Sequence, residues 1–390
     1  MAIGKKSSRL LQLLEQADPA RAVLRVPHPD RGLADPVRFP YLAVVGQVEM
    51  KTALILALVN PLVGGVLLIG PRGTGKTTAV RGLIELLPTI QRSTCALGCT
   101  LEAAEAGGMD AICPQCAQKL GHGEPITAPD RMRLIELPLN ARLEDVVGGI
   151  SERLAVEQQK IRLERGILSY ADQNLLHVDE VNLLDDAIAN AILDAAAQGY
   201  YTVHRGPLTN TYRARLTLIG SMNPEEGELR PQIMDRFGLR VVVRGLTDVE
   251  ERLEVTRRVQ AFVTNRYDFA ARFAEATLQV TEEVNKARER LPEVTLTKGA
   301  EQAALELVNR LHIESLRAEI VTLQAARARA AADERDAADV TDVAAVAPMA
   351  LRARYSPFIA EYVQSRQEED VAFQQVVDDL RSSDETSEAQ

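Results

Sequence analysis

Gly70-Pro71-Arg72-Gly73-Thr74-Gly75-Lys76-Thr77 decides how the rest of this 390-residue chain is read. The run satisfies every fixed position of a phosphate-binding loop. Val66 to Ile69 before it has the continuous apolar character of a buried strand, and Ala79 to Leu87 after it has helical spacing. Strand, loop and helix in that order are the setting in which such a loop works. The glycines let backbone N–H groups turn inward onto a β-phosphate, with the positive end of the helix behind them. Lys76 is then placed to reach the β- and γ-phosphates, and the Thr77 hydroxyl to bind Mg²⁺. The predicted cofactors are ATP and Mg²⁺, held by Gly70, Pro71, Arg72, Gly73, Thr74, Gly75, Lys76, Thr77 and Thr78. The plain alternative is a glycine-rich turn that binds nothing.

Composition narrows the setting. The formal net charge of −10 argues against a protein that coats nucleic acid by bulk electrostatics, which leaves only a local basic pore as a route to that function. The first nine residues are polar, and Leu10 to Leu14 is too short an apolar core for a secretory signal. Thr52 to Ile69 is broken by Asn60-Pro61 and Gly64-Gly65, short of the ~20 apolar residues a membrane span requires. These readings predict a cytoplasmic protein, in which the four cysteines are thiols or metal ligands rather than structural disulfides.

Outward from the loop, apolar runs alternate with helical spacing. Met50 to Asn60 reads as an apolar helix and Leu134 to Leu137 as a strand. Asn174 to Val178, Leu216 to Ile219 and Arg240 to Val243 are further strands, with a helix from Leu183 to Ala197 between the first two. Tyr200 to Arg215 alternates around Gly206-Pro207 as a β-hairpin would. Such alternation predicts an α/β fold with a parallel sheet covered on both faces. From Asp248 alanine, glutamate and arginine dominate at helical spacing, with no further strand run. The predicted organisation is a leader over 1–37 with a short helix at Arg9 to Gln16, and a nucleotide-binding core over 38–245. A glycine- and cysteine-rich insertion at 95–130 interrupts that core. A helical domain over 246–360 and an acidic tail over 361–390 complete the chain.

Two more stretches carry chemistry. Leu175-Leu176-His177-Val178-Asp179-Glu180 is an apolar strand ending in adjacent carboxylates. Asp179 would hold Mg²⁺ through water, and Glu180 would orient and deprotonate the attacking water. Thr217 to Pro224 is a strand expected to lie between the other two, carrying the Asn223 amide to the γ-phosphate. In the run Gly227 to Leu239, an arginine at the end of the helix would face a neighbouring subunit's nucleotide as an arginine finger, unless it is a surface residue paired with Asp235.

His177 to Asp186 and Asn223 to Pro231 resemble the AAA+ ATPase subunit of magnesium chelatase, as does the Asp235-Arg236-Phe237-Gly238-Leu239 run. The similarity covers about residues 38 to 355. It implies a P-loop AAA+ αβα sandwich with a C-terminal all-helical lid, and two insertions, for which Ser151 to Arg165 and Tyr200 to Arg215 are the matching segments. It further implies a homo-oligomeric ring, as a hexamer, a partner subunit with an integrin-like (VWA) domain, and a large catalytic chelatase subunit. The arginine finger of the family falls at Arg236. The lid arginine that senses the γ-phosphate falls at Arg317, in Leu316-Arg317-Ala318-Glu319, where an exposed helix arginine is the alternative.

The cysteine-bearing insertion differs from the usual pattern of that family. Cys95-x₃-Cys99 and Cys113-x₂-Cys116 have the makings of a four-cysteine Zn²⁺ site, with His122 as a substitute ligand. A redox pair or free thiols are the rival readings. His177, His204 and His312 stand singly and read as packed or surface histidines. Three activities share the motor chemistry: chelation of magnesium into protoporphyrin IX or cobalt into a corrin, a MoxR-type chaperone, and a DNA-translocating ring. For the last, His204, Arg205, Arg213 and Arg215 would line a pore, with ordinary hairpin charges as the equal alternative.

Overall fold

Alternation along the strands builds the sheet. In Val66–Ile69 (β1), Val66 and Leu68 enter one apolar core and Leu67 the other. Thr89–Ser93 (β2) and Thr127–Arg131 (β3) form a separate antiparallel pair, and Leu134–Glu136 (β4) returns to the main sheet. Leu175–Val178 (β5) repeats the two-sided pattern, with Leu175 on one face and Leu176 and Val178 on the other. Tyr200–Arg205 (β6) and Leu208–Arg213 (β7) pair as a hairpin before Thr217–Met222 (β8) and Leu239–Val242 (β9). Strands apolar on both faces require cover on both faces. The result is a five-stranded parallel sheet in the order β4-β5-β8-β1-β9, sandwiched between helices. These coordinates are a computed structural model and describe residues 37–355 except 96, 151–162 and 207. The short helix read at Arg9 to Gln16, most of the Ser151 to Arg165 segment and the acidic tail lie outside the described residues.

On one face lies Val48–Val59, a helix buried throughout from Met50. A helix apolar all round needs neighbours on every side, and here the helices Arg266–Arg290 and Arg317–Ala332 cover what the sheet does not. The clamp is also polar: the Asn60 side-chain amide donates to the backbone and side-chain oxygens of Gln324, and Arg288 donates to the Leu58 carbonyl. The alanine run from Ala325 to Ala332 is buried almost throughout, which lets helix backbones approach closely. The opposite face is covered by Asp186–Gln198, packed on Leu67, Leu176 and Leu218.

Beyond Asp248 the chain is helical: Val249–Thr264, Arg266–Arg290, Lys298–Arg310, Arg317–Ala332 and Val340–Leu351. The first three start where Asp248, Asn265 and Thr297 accept backbone N–H groups as N-caps. Against the strand-free reading of this region, two-residue strands Thr295–Leu296 (β10) and Ala337–Ala338 (β11) pair side by side. They are too short to leave a sequence pattern. The helix after the phosphate loop runs from Lys76 to Gly82, earlier than its apolar spacing indicates, and tightens into a 3-10 turn over Leu83–Leu86. At Gly82 the backbone of Phe39 to Tyr41 passes so closely that a Cβ would sit 2.9 Å from the Tyr41 nitrogen.

Candidate nucleotide site and cysteine module

The loop leaves β1 at Gly70, whose N–H donates to the Met222 carbonyl of β8 at 3.1 Å. Gly73 and Gly75 have φ of +77° and +85°, the left-handed region that glycine enters without steric cost. A Cβ at either would meet nothing within 4 Å, so the loop is open above both. Lys76 Nζ folds back to the carbonyls of Gly70 (2.7 Å) and Pro71 (2.8 Å). Partial burial lowers its pKa, opposed by the nearby Asp179, Glu226 and Glu180. Thr74 Oγ1 donates to the Pro71 carbonyl at 3.0 Å, while Arg72 and Thr78 are exposed.

β8 lies between β1 and β5, pairing Leu68 with Ser221 and Val178 with Gly220. That register brings the loop, the acid pair and the end of β8 together. Thr77 Oγ1 donates to Asp179 Oδ2 at 3.1 Å, and the Ser221 hydroxyl donates to Asp179 Oδ1. Burial would raise the Asp179 pKa, yet the Ser221 hydrogen bond, the neighbouring His177 and the Thr77 hydroxyl together hold it below the usual range. The result is an anionic, hard-oxygen cluster of hydroxyl and carboxylate, the donor chemistry that suits Mg²⁺. Glu180 has φ of +51°, a strained setting for a non-glycine residue. Its N–H points to Ser221 Oγ at 3.4 Å. Arg72 reaches across the mouth of the site to Glu180 (3.6 Å) and to Glu226. Asn223 is buried, with its side-chain oxygen accepting from the Glu225 N–H at 3.3 Å. His177 is buried within β5, and burial lowers its pKa.

Two arginines stand apart from this cluster. Arg236 ends the helix Pro231–Arg236 and pairs with Asp194 on the helix Asp186–Gln198, not with the adjacent Asp235. Arg317 donates to the Asp235 carbonyl at 3.2 Å and so joins a different network. There the Asp235 carboxylate meets Arg240 and Arg354, both buried, and the Ser315 hydroxyl. Arg240 is pushed down to about 10 by burial, with Arg354 adding repulsion. Sequence reasoning missed Ser221 and this hub. The only trace of Ser221 is a small polar residue near the end of an apolar strand, and the Asp235 partners are scattered along the chain.

The insertion is not featureless. β2 and β3 make its stem, with Ser93 opposite Thr127, and helices Leu101–Gly107 and Pro114–Gly121 lie within it. Cys95, Cys99, Cys113 and Cys116 converge, with all four sulfurs within 4.8 Å of one another; His122 is not among them. Although burial opposes it, hydrogen bonds from Ser93 and Cys99 hold the Cys95 thiol at a pKa of about 6, while burial raises Cys99 and Cys116. Arg213 and Arg215 tie the hairpin to the module. Both donate to the Gly98 carbonyl, at 3.0 and 3.4 Å.

A phosphate loop at the end of β1, an acid pair two strands away, a strand between them and a helical domain closing on the sheet together define an AAA+ P-loop ATPase. Residues 301–376 match the AAA lid domain family. A magnesium-chelatase subunit ChlI homolog of Methanocaldococcus jannaschii is 40% identical over 322 residues, spanning 82% of this chain and 87% of that protein. The magnesium-chelatase 38 kDa subunit of Acidiphilium rubrum is 40% identical over 316 residues, 81% of this chain and 90% of that one. The chain therefore belongs to the magnesium-chelatase ChlI family of AAA+ ATPases. A putative ATPase from Cytophaga hutchinsonii shares the fold, with a TM-score of 0.50 at 21% identity over 85% of this chain and 90% of the other. Among the described residues no helix is long and apolar enough to cross a membrane.

Proposed function

We propose that the chain is the ATP-hydrolysing motor subunit of a metal chelatase, driving magnesium insertion into protoporphyrin IX. The observation that carries the motor chemistry is the Thr77–Asp179–Ser221 cluster set between the phosphate loop and Glu180. The relatives are magnesium-chelatase subunits by name, which supports the choice of metal. Mg²⁺-ATP supplies the phosphoanhydride that is cleaved. The amides of the Gly70 to Thr77 loop and Lys76 bind the phosphates, with Pro71, Arg72, Thr74 and Thr78 shaping the loop. Thr77 and Asp179 would hold Mg²⁺, which would neutralise charge on the phosphates. Asn223 orients the attacking water and Glu180 takes its proton, a general-base role typically worth ~10²–10⁴ in rate.

Arg236 completes the site of the neighbouring protomer in a homo-oligomeric ring, as a hexamer, leaving Asp194 to do so. Arg317 reports on the γ-phosphate by leaving the Asp235 carbonyl as the lid closes. The ring works on a partner subunit with an integrin-like (VWA) domain and on a large catalytic chelatase subunit that binds the porphyrin. The core over 38–245, lid over 246–360 and acidic tail over 361–390 are the units of that machine. The test is Glu180→Gln: ATP still binds, and hydrolysis falls at least ~10²-fold. Full turnover by that variant, or turnover per chain unchanged at dilutions where only monomer remains, contradicts the proposal.

A further inference from the structure

The cysteine module has too little else to hold it. Helix Leu101–Gly107 buries no side chain, and Pro114–Gly121 buries only Cys116. Apart from the sulfurs, its fully buried apolar side chains among the described residues are Ile112 and Ile126. A segment with so small an apolar core is the kind that a metal cross-link at the sulfurs holds together.

We propose that Cys95, Cys99, Cys113 and Cys116 bind one Zn²⁺ as a tetrahedral four-thiolate site, which staples the insertion and, through the Gly98 carbonyl, fixes the foot of the β6–β7 hairpin. The geometry favours a metal over disulfides, because four sulfurs share one point instead of meeting in two separate pairs. Zn–S bonds of about 2.3 Å place tetrahedral sulfurs ~3.8 Å apart, so a contraction of roughly 1 Å or less completes the site. Donors already aim at the sulfurs. The Cys99 N–H and the Ser93 hydroxyl point at Cys95 Sγ (3.4 and 3.3 Å), and the Cys113 N–H at Cys99 Sγ (3.3 Å). Such contacts disperse thiolate charge around a bound metal. Cys113 occupies the N-cap position of the helix Pro114–Gly121, with no side-chain cap bond, and Cys116 lies in its first turn, so both sit at its positive end. Each thiol releases its proton to solvent as its sulfur–zinc bond forms, and no oxidant is involved. A soft thiolate set selects zinc over Mg²⁺.

The link to the hairpin is direct. The Cys95–Cys99 loop presents the Gly98 carbonyl to Arg213 and Arg215, and Arg213 also reaches Thr100 Oγ1 at 3.4 Å. Arg215 is itself held by Asp172 at 2.9 and 3.1 Å. Gly98 has φ of +75°, and a Cβ there would lie 3.0 Å from the Asp172 carboxylate, so this approach depends on glycine. None of these residues belongs to the phosphate loop.

The full chain, purified under reducing conditions without chelator, is expected to carry one zinc per chain by elemental analysis. The metal survives dialysis and is released on titration of the thiols with a mercurial. Exchange with Co²⁺ in the unsubstituted protein should give the intense visible bands and thiolate charge transfer of a tetrahedral sulfur site. C113S/C116S should lose the metal, keep its ATP affinity within about twofold, and be cut about tenfold faster by protease in both the insertion and the hairpin. Absent or substoichiometric zinc, iron in its place, or a mass deficit from disulfides in the unsubstituted protein would overturn the site. Unchanged hairpin cleavage in a metal-free chain would overturn the coupling. A zinc-bearing chain that fails to hydrolyse ATP would sink the motor reading and leave this site standing.

Discussion

Ser221→Ala tests whether the buried hydroxyl of β8 holds Asp179 in place. Ser221 is 1% exposed, donates to Asp179 Oδ1 and receives the Glu180 N–H at 3.4 Å. Its loss removes one of the two hydroxyl donors that offset the burial of the Asp179 carboxylate, leaving Thr77. A hydrogen bond to a charged group contributes about 1.5–3 kcal/mol. Asp179 is only half-buried, so water partly replaces the lost donor and the lower end applies. About 1.4 kcal/mol is one decade in affinity, and loss of an outer-shell partner typically costs ~10–100-fold in metal binding. The expected outcome is a roughly tenfold rise in the Mg²⁺ concentration that half-saturates ATP hydrolysis, with little change in maximal rate once Mg²⁺ is saturating. The assay is a Mg²⁺ titration at fixed ATP, with a thermal melt confirming that the variant is folded. A folded variant whose Mg²⁺ requirement moves by less than about twofold would refute the reasoning.

Asp235→Asn should lower stability by about 1.5–3 kcal/mol, because it removes the carboxylate that the buried Arg240 and Arg354 share, while the solvent that reaches the half-exposed Asp235 limits the loss; a denaturant midpoint within error of the unsubstituted protein would contradict this. Gly238→Ala would bring a Cβ to 1.6 Å from the Val63 carbonyl oxygen, backbone against backbone. Its melting temperature should drop by the equivalent of about 3 kcal/mol or more, and an unshifted melt would show the contact to be absent. Asp339 caps the helix Val340–Leu351, and bonds from the Thr341 hydroxyl and the Thr341 and Asp342 amides hold its carboxyl below the usual range. That contribution is complete above the unfolded-state value of about 4 and is lost as pH falls through the lowered folded-state value. Asp339→Ala should therefore cost about 1 kcal/mol near neutrality and show a shallower loss of stability in acid; parallel acid limbs would count against it.

The parts of the fold legible from sequence are those whose physics is local or strictly periodic. β1, β5 and β8 are apolar on both faces and lead into loops of distinctive chemistry, so their layer and their order could be read together. The β2–β3 stem could not, because Thr89–Ser93 is half-exposed and Thr127–Arg131 contains Pro129, leaving no apolar pattern. The site divides similarly. Gly73, Gly75, Lys76, Thr77, Asp179 and Glu180 belong to compact motifs. Ser221 acts through a strand register that only the assembled sheet reveals. Arg236 was read against its neighbour Asp235, yet its partner is Asp194 on a different helix, while Asp235 serves residues up to Arg354. Cysteine spacing suggested a shared ligand, but His122 could be set aside only once the four sulfurs were seen together.

In the proposed ring each nucleotide is cleaved by residues of two protomers, and mixing two inactive variants tests that most directly. Arg236→Ala keeps Glu180, and Glu180→Gln keeps Arg236. In rings assembled at random from equal amounts, about a quarter of interfaces pair an intact Glu180 with an intact Arg236. ATPase activity of the mixture should rise well above that of either parent, towards about a quarter of the unsubstituted rate. A mixture that forms rings yet stays as inactive as its two components would contradict the shared site.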